Sequence, residues 1–310
     1  MSNEVILWIV FNVVVAGLLY VDLKVINRHA HVVPFREAAF WSVVWISLAL
    51  LFNFGIYHFL GRQKALEFLT GYIIEESLSV DNLFVFIMIF RHFGIEAKYQ
   101  PRILHWGILG ALVMRLVMIL AGAHIFNAFH WIIYVFGAFL IYTGIRMGMA
   151  GEQRLEPEEN AVLRLFRKFL PFTKEISGES FFVRNGGVWR ATPLFAALIV
   201  VEASDLIFAV DSIPAILAIT TDTFIVYTSN VFAILGLRAL YFLLAGVMDM
   251  FRYLKIGLSV ILCYVGIKML LTDVYKIHTG ISLGIVLGIL ALSVLASVMI
   301  RKKQEEASPY

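Results

Sequence analysis

Glu75-Glu76-Ser77-Leu78-Ser79-Val80-Asp81-Asn82 and Asp205-Leu206-Ile207-Phe208-Ala209-Val210-Asp211-Ser212 follow one pattern: an acid, five residues, then Asp beside a small amide or hydroxyl. Both lie inside long apolar segments. A carboxylate at the centre of a membrane helix costs roughly 2.5 to 3.5 kcal/mol on an insertion scale, so a duplicated set points to function rather than accident.

Working outward, 61% of the 310 residues are hydrophobic and 15% are charged, a composition far from that of a soluble domain. Several apolar stretches are too long to be core helices, which predicts an all-α polytopic membrane protein. Nine spans are expected, at about 5–22, 38–60, 67–90, 103–123, 129–149, 192–218, 223–247, 251–272 and 279–300. The start, Met1-Ser2-Asn3-Glu4, has no basic region and the apolar run after it no small-residue cleavage site, so it reads as an uncleaved first span.

Allotting the flanks of nine spans alternately to two sides places nineteen Lys and Arg on one side. They include Lys24, Arg36, Arg91, Lys98, Arg102, Lys255, Arg301 and all eight basic residues of 146–190. Only Arg62, Lys64, Lys268 and Lys276 fall on the other side. By the positive-inside rule the N-terminus is outside and the C-terminus cytoplasmic. The formal charge of +3 is spread over short flanks and forms no patch, so no nucleic-acid partner is implied. A lone Cys263 allows neither a disulfide framework nor a CxxC metal site.

The segment 150–190 is the only long polar stretch. Pro157 to Leu170 predicts a short amphipathic helix, with Arg164, Arg167 and Lys168 opposite an apolar face. Such a helix either lies on the inner leaflet or packs as a surface link. Asn185-Gly186-Gly187 between two apolar runs is a hairpin signal.

The repeat extends beyond the acids. Leu140/Leu262, Tyr142/Tyr264, Gly144/Gly266, Ile145/Ile267 and Met147/Met269 match between the fifth and eighth spans. The fourth and seventh spans each carry one buried arginine, Arg115 and Arg238. Units of three spans enter the membrane from opposite sides, so spans three to five and six to eight form a 3+3 inverted-topology repeat. The chain then divides into two N-terminal spans (1–62), a first repeat (63–150), a cytoplasmic linker (151–190), a second repeat (191–277) and a last span with a tail (278–310). Inverted repeats hold substrate near the midplane between them.

Glu75 and Asp81 are six residues apart, about 240° round a regular helix, as are Asp205 and Asp211. Pro214 denies the Val210 carbonyl its helical donor, so a break near Asp211-Ser212-Ile213-Pro214 is expected. Glu202 and Asp205, three apart, share a face. Glu75, Glu76, Asp81, Glu202, Asp205 and Asp211 against Arg115 and Arg238 leave four negative charges to be compensated, by protons or by a bound dication. Arg115 and Arg238 serve charge compensation, and Glu76, whose repeat partner is Leu206, has the weakest claim as a ligand. The donors are all oxygen, which suits Mg²⁺, Ca²⁺ or Mn²⁺ better than Zn²⁺ or Cu⁺. No HExxH, GxGD or GxSG motif marks a membrane-embedded enzyme, and the chain is read as a non-enzyme.

The stretches Glu75 to Phe86 and Val201-Glu202-Ala203-Ser204-Asp205 to Pro214, with Ser229-Asn230-Val231-Phe232-Ala233-Ile234-Leu235-Gly236-Leu237-Arg238, resemble the signature segments of the TerC family of integral membrane proteins, in its Alx-type branch. The resemblance covers nearly the whole chain. It implies membership of the LysE-like transporter superfamily and a role in manganese homeostasis, with Mn²⁺ as exported substrate ahead of Mg²⁺ or Ca²⁺. Glu75, Asp81, Glu202, Asp205 and Asp211 match the family's intramembrane acids, and Asn82 and Ser212 the polar residues beside them. Proton coupling follows from the charge deficit. Two alternatives stay open: an accessory protein that supplies Mn²⁺ to secreted proteins at the translocon, and an exporter of a cationic organic solute.

Overall fold

The computed structural model describes residues 3–21, 32–129, 131–149, 161–173, 178–185, 187–245, 254–275 and 277–307. Its elements run α1 (Asn3–Val21), α2 (Phe35–Leu60), α3 (Arg62–His92), α4 (Gln100–Ala128), α5 (Ile132–Met149), α6 (Ala161–Phe169), β1 (Phe182–Asn185), β2 (Val188–Ala191), α7 (Pro193–Leu217), α8 (Thr223–Ala245), α9 (Leu254–Leu270) and α10 (Thr279–Ala307). Long helices therefore stand at the positions of the nine apolar segments. Six of them, α2, α4, α5, α7, α8 and α10, are long and apolar enough to cross a membrane. In α3 the acids interrupt the apolar run, and α9 is only 17 residues long.

The exposed faces carry large apolar side chains, among them Phe40, Leu51 and Phe54 on α2, Val113 and Val117 on α4, and Leu292 and Leu295 on α10. In water such surface would be costly, whereas in a bilayer it meets hydrocarbon. The interior is organised round α8, which is buried over most of its length and packs against α1, α2, α3 and α4. At one end of α8 an aromatic cluster of Trp8, Phe11, Phe52, Phe224, Tyr227 and Phe232 fixes α1 and α2. The Tyr227 hydroxyl donates to Asn12 Oδ1 at 2.9 Å, which satisfies both polar groups inside an apolar contact.

The α3–α4–α5 and α7–α8–α9 triplets pack in a reciprocal way. The helix α3 lies against α8 as α4 lies against α7, and α5 lies along α9. Close approach of α5 and α9 depends on glycine. A Cβ on Gly144 would fall 2.8 Å from the Ser259 carbonyl and 2.7 Å from the Cys263 sulfur, and one on Gly266 would fall 2.6 Å from the Gly137 carbonyl and 2.8 Å from Ile141. Gly144 corresponds to Gly266 in the sequence match, and with the same offset Gly137 corresponds to Ser259 and Ile141 to Cys263. Each contact therefore has its exchanged counterpart, in two antiparallel helices.

The linker contributes α6 and an antiparallel hairpin in which Phe182 faces Ala191 and Asn185 faces Val188. Gly187 adopts φ 84, a conformation that favours glycine in such a turn. The described part of the expected 157–170 helix is Ala161–Phe169, residues 151–160 lying outside the described ones. It packs on α7 with Leu163 fully buried, leaving Leu165 and Phe166 partly exposed. Phe195 of α7 receives Phe166, Phe181 and Phe182 round its ring, so the linker is tied to the start of the second triplet.

One local expectation differs. Instead of breaking near Pro214, α7 continues unbroken to Leu217 with Pro214 inside it. The proline withholds a single ladder bond, the one into the Val210 carbonyl, and its own carbonyl still accepts from the Ala218 N–H at 3.0 Å.

Candidate functional site: a buried carboxylate pair

Continuous helices decide which acids can meet. Six residues turn the chain by about 240°, but seven bring it back to within about 20° of its start. Glu75 and Asn82 therefore share one face of α3, and Asp205 and Ser212 share one face of α7, while Asp211 looks elsewhere.

The two first acids converge. Near the midpoints of α3, α4 and α7, the Arg115 guanidinium lies between Glu75 and Asp205 and engages all three of its nitrogens. Nη2 and Nε donate to the two oxygens of Asp205 at 3.1 and 3.4 Å, a fork-to-fork pairing. Nη1 donates to Glu75 Oε1, to Asn230 Oδ1 at 3.0 Å and to the Ser212 hydroxyl at 3.2 Å. Asn230 in turn donates to Glu75 Oε2 at 3.1 Å. The side chains of Glu75, Arg115 and Asp205 are 1%, 2% and 6% exposed, so the ion triad is almost sealed from solvent. Two carboxylates and one guanidinium leave this buried set with a net charge of −1.

Glu202 lies one turn from Asp205, over Gly110 of α4. A Cβ at position 110 would overlap its carboxylate. Glu202 and Asp205 both line a narrow pocket whose other walls include Phe86, Leu104, Gly107 and Ala111. Asp211 is half-buried and shares a side-chain hydrogen bond with Thr143 on α5, away from Arg115. The Asp81 side chain lies outside the described residues, and Asn82 is buried. Arg238 does not join the triad; it lies within electrostatic range of His105. Glu76 looks toward Trp45 and Gly236, and its buried Oε2 has no hydrogen-bond partner among the described residues.

Of the sequence candidates, the structure thus brings together Glu75, Asp205, Ser212 and Arg115, with Glu202 next to them along α7. Among the described residues no three Asp, Glu, His or Cys side chains are grouped so as to hold a metal ion. Asn230, noted in the sequence only as part of a signature segment, and Gly110 were not among the candidate site residues. The polar run Thr228-Ser229-Asn230 within an apolar span was a signal for the first, whereas nothing local marks Gly110. The oxygens of Glu75, Asp205, Ser212 and Asn230 form a donor set that suits a hard or intermediate divalent cation.

Comparison with known proteins agrees with this architecture. Residues 60–305 match the model of the integral membrane protein TerC family, and the chain belongs to that family. It is 50% identical over 293 residues to "Uncharacterized membrane protein STKORF319" of Myxococcus xanthus, covering 94% of this chain and 92% of that one. It is 49% identical over 310 residues to "Putative membrane-bound redox modulator Alx" of Escherichia coli K12, covering 97% of each. A Rickettsia bellii membrane protein is 40% identical over 292 residues, 94% of this chain and 97% of its own. No solved structure matches. The protein is thus a multi-pass integral membrane protein with an ion triad buried among its central helices.

Proposed function

We propose that the protein is a divalent-cation transporter of the bacterial inner membrane, exporting Mn²⁺ from the cytoplasm. In this reading nine helices cross the bilayer, with the N-terminus outside, and α3–α5 and α7–α9 form an inverted-topology pair. The observation that carries it is the meeting of Glu75 and Asp205. These are equivalent positions of the duplicated motif, contributed by the two triplets to one buried point near the middle of their helices. The reciprocal glycine contacts of α5 and α9 support a two-fold relation between the triplets. A dication between Glu75 and Asp205 would be neutralised by them, and Ser212 and Asn230 offer further oxygen donors. Glu202, in the adjoining pocket, lies on the approach to Asp205 and would attract a cation before it reaches the pair. Asp211, on another face of α7, and with it Asp81, its counterpart in the motif, would act along the route rather than in the same seat.

Oxygen donors admit Mg²⁺ and Ca²⁺ as well as Mn²⁺, and the preference for Mn²⁺ rests on the family resemblance. A relative's name speaks of redox modulation. A single cysteine, half-buried against α5, gives this chain no intramolecular thiol–disulfide couple, so a redox effect would arise indirectly, through the metal content of the cell.

The test is metal flux in proteoliposomes with Mn²⁺, Mg²⁺ and Ca²⁺ offered in parallel to wild type, Asp205→Asn and Asp211→Asn. Saturable Mn²⁺ movement in the wild type is expected, falling at least about a hundredfold in Asp205→Asn, the loss of about 2.7 kcal/mol at the seat. A folded wild type that binds Mn²⁺ but moves none would reject export in favour of an accessory that supplies metal.

A further inference from the structure

The seat that suits a dication is already filled by a cation of the protein's own. Arg115 makes five hydrogen bonds there, to both carboxylates, Ser212 and Asn230, and is 2% exposed. A guanidinium keeps its proton under all ordinary conditions, so this occupant cannot leave by titration; it can only move. A dication and a guanidinium held by the same two carboxylates would repel each other at close range, so they exclude one another. The seat is built from the first acid of each motif, one on α3 and one on α7, and its occupant Arg115 comes from α4 between them.

Resting on the transport reading above, we propose that Arg115 is a tethered counter-cation: the arriving dication displaces it from Glu75 and Asp205, and its return closes the emptied seat so that the unloaded carrier can reorient. An empty pair of buried carboxylates would otherwise carry two uncompensated charges through the occluded state, at a heavy desolvation cost. Arg115 does at this seat what bound protons do in carriers that exchange a metal for protons. It also sets affinity, because metal must compete with a group whose local concentration never falls. Measured metal affinity is the intrinsic affinity reduced by the fraction of molecules with the seat open.

The test uses the full chain, as wild type, Arg115→Gln and Arg115→Lys, with three readouts: Mn²⁺ binding by calorimetry, net Mn²⁺ efflux from proteoliposomes, and exchange of radiolabelled for unlabelled Mn²⁺ across the same membranes. Arg115→Gln is expected to bind Mn²⁺ about tenfold or more tightly, since its competitor is gone. It should lose net efflux while keeping exchange, because only the loaded form can then cross. A lysine fills the seat but cannot fork between two carboxylates, so Arg115→Lys should bind Mn²⁺ more tightly than wild type and keep net efflux. It decides the matter if the glutamine variant does not fold. A purely structural ion pair would make net efflux and exchange fall together, and that result, or Mn²⁺ binding by either variant no tighter than in wild type, overturns the proposal. A folded wild type that binds none of Mn²⁺, Mg²⁺ and Ca²⁺ instead overturns the transport reading, and this inference with it.

Discussion

Gly110 shows how one missing methyl places a charge. The Glu202 carboxylate occupies the volume a Cβ would fill on α4, so the small residue lets an acid of α7 lie between the two helices, next to Asp205. Alanine at 110 would displace only the flexible end of Glu202 and leave the backbones where they are. Gly110→Ala is therefore expected to melt within a few degrees of wild type but to bind Mn²⁺ about tenfold more weakly, the equivalent of about 1.4 kcal/mol. Calorimetry and a thermal unfolding curve in detergent check both parts. Unchanged affinity would remove Glu202 from the cation path. Asn230 works at the same scale by other means: its amide accepts from Arg115 and donates to Glu75, so a neutral side chain holds both members of an ion pair in register.

Between elements, the packing of α5 on α9 is where the proposed repeat is most open to test. In a bilayer, helices gain little from the hydrophobic effect against each other, and small residues that allow close backbone approach supply the contact instead. Gly144 and Gly266 do this at exchanged positions. If the triplets are related by a two-fold axis, Gly144→Ala and Gly266→Ala should behave alike. Each pushes a methyl against a carbonyl of the opposite helix, and each is expected to destabilise the protein by about 1–3 kcal/mol. The readout is the unfolding transition of the purified protein. A large loss from one substitution and none from the other would count against the symmetric relation. Exposed Gly284 and Gly288 on α10, with open space round them, provide controls.

For the whole molecule, the distribution of basic residues predicts opposite sides for the two termini. A fluorescent protein that folds only in the cytoplasm, fused at the C-terminus, is expected to glow; a periplasm-dependent phosphatase at the same point is expected to be inactive. Reversal of both signals would invert the proposed topology. The linker has a place in the same scheme. Arg102 at the start of α4 pairs with Glu179 at 2.7 Å and lies over the Phe181 ring, so the hairpin joins the ends of α4 and α7, two helices that supply the triad. Rocking of one triplet against the other would have to carry that joint along or break it.

Hydropathy and motif spacing are properties of the chain in one dimension, and they were legible: the positions of the long helices, the paired motifs and the expensive acids could all be read from residues alone. Even the pairing of Glu75 with Asn82 and of Asp205 with Ser212 on single faces was available from a seven-residue spacing, once the helices are taken as continuous. Only the tertiary structure decided which of those faces meet. The rotation of α3, α4 and α7 about their own axes selects Glu75 and Asp205 for Arg115 and turns Asp211 toward Thr143. Rotation is set by contacts summed over the whole interface, by glycines such as Gly144 and Gly266 and by buried amides such as Asn230. No single segment contains that sum, so the charge excess could be counted in the sequence while the partner of each acid could not.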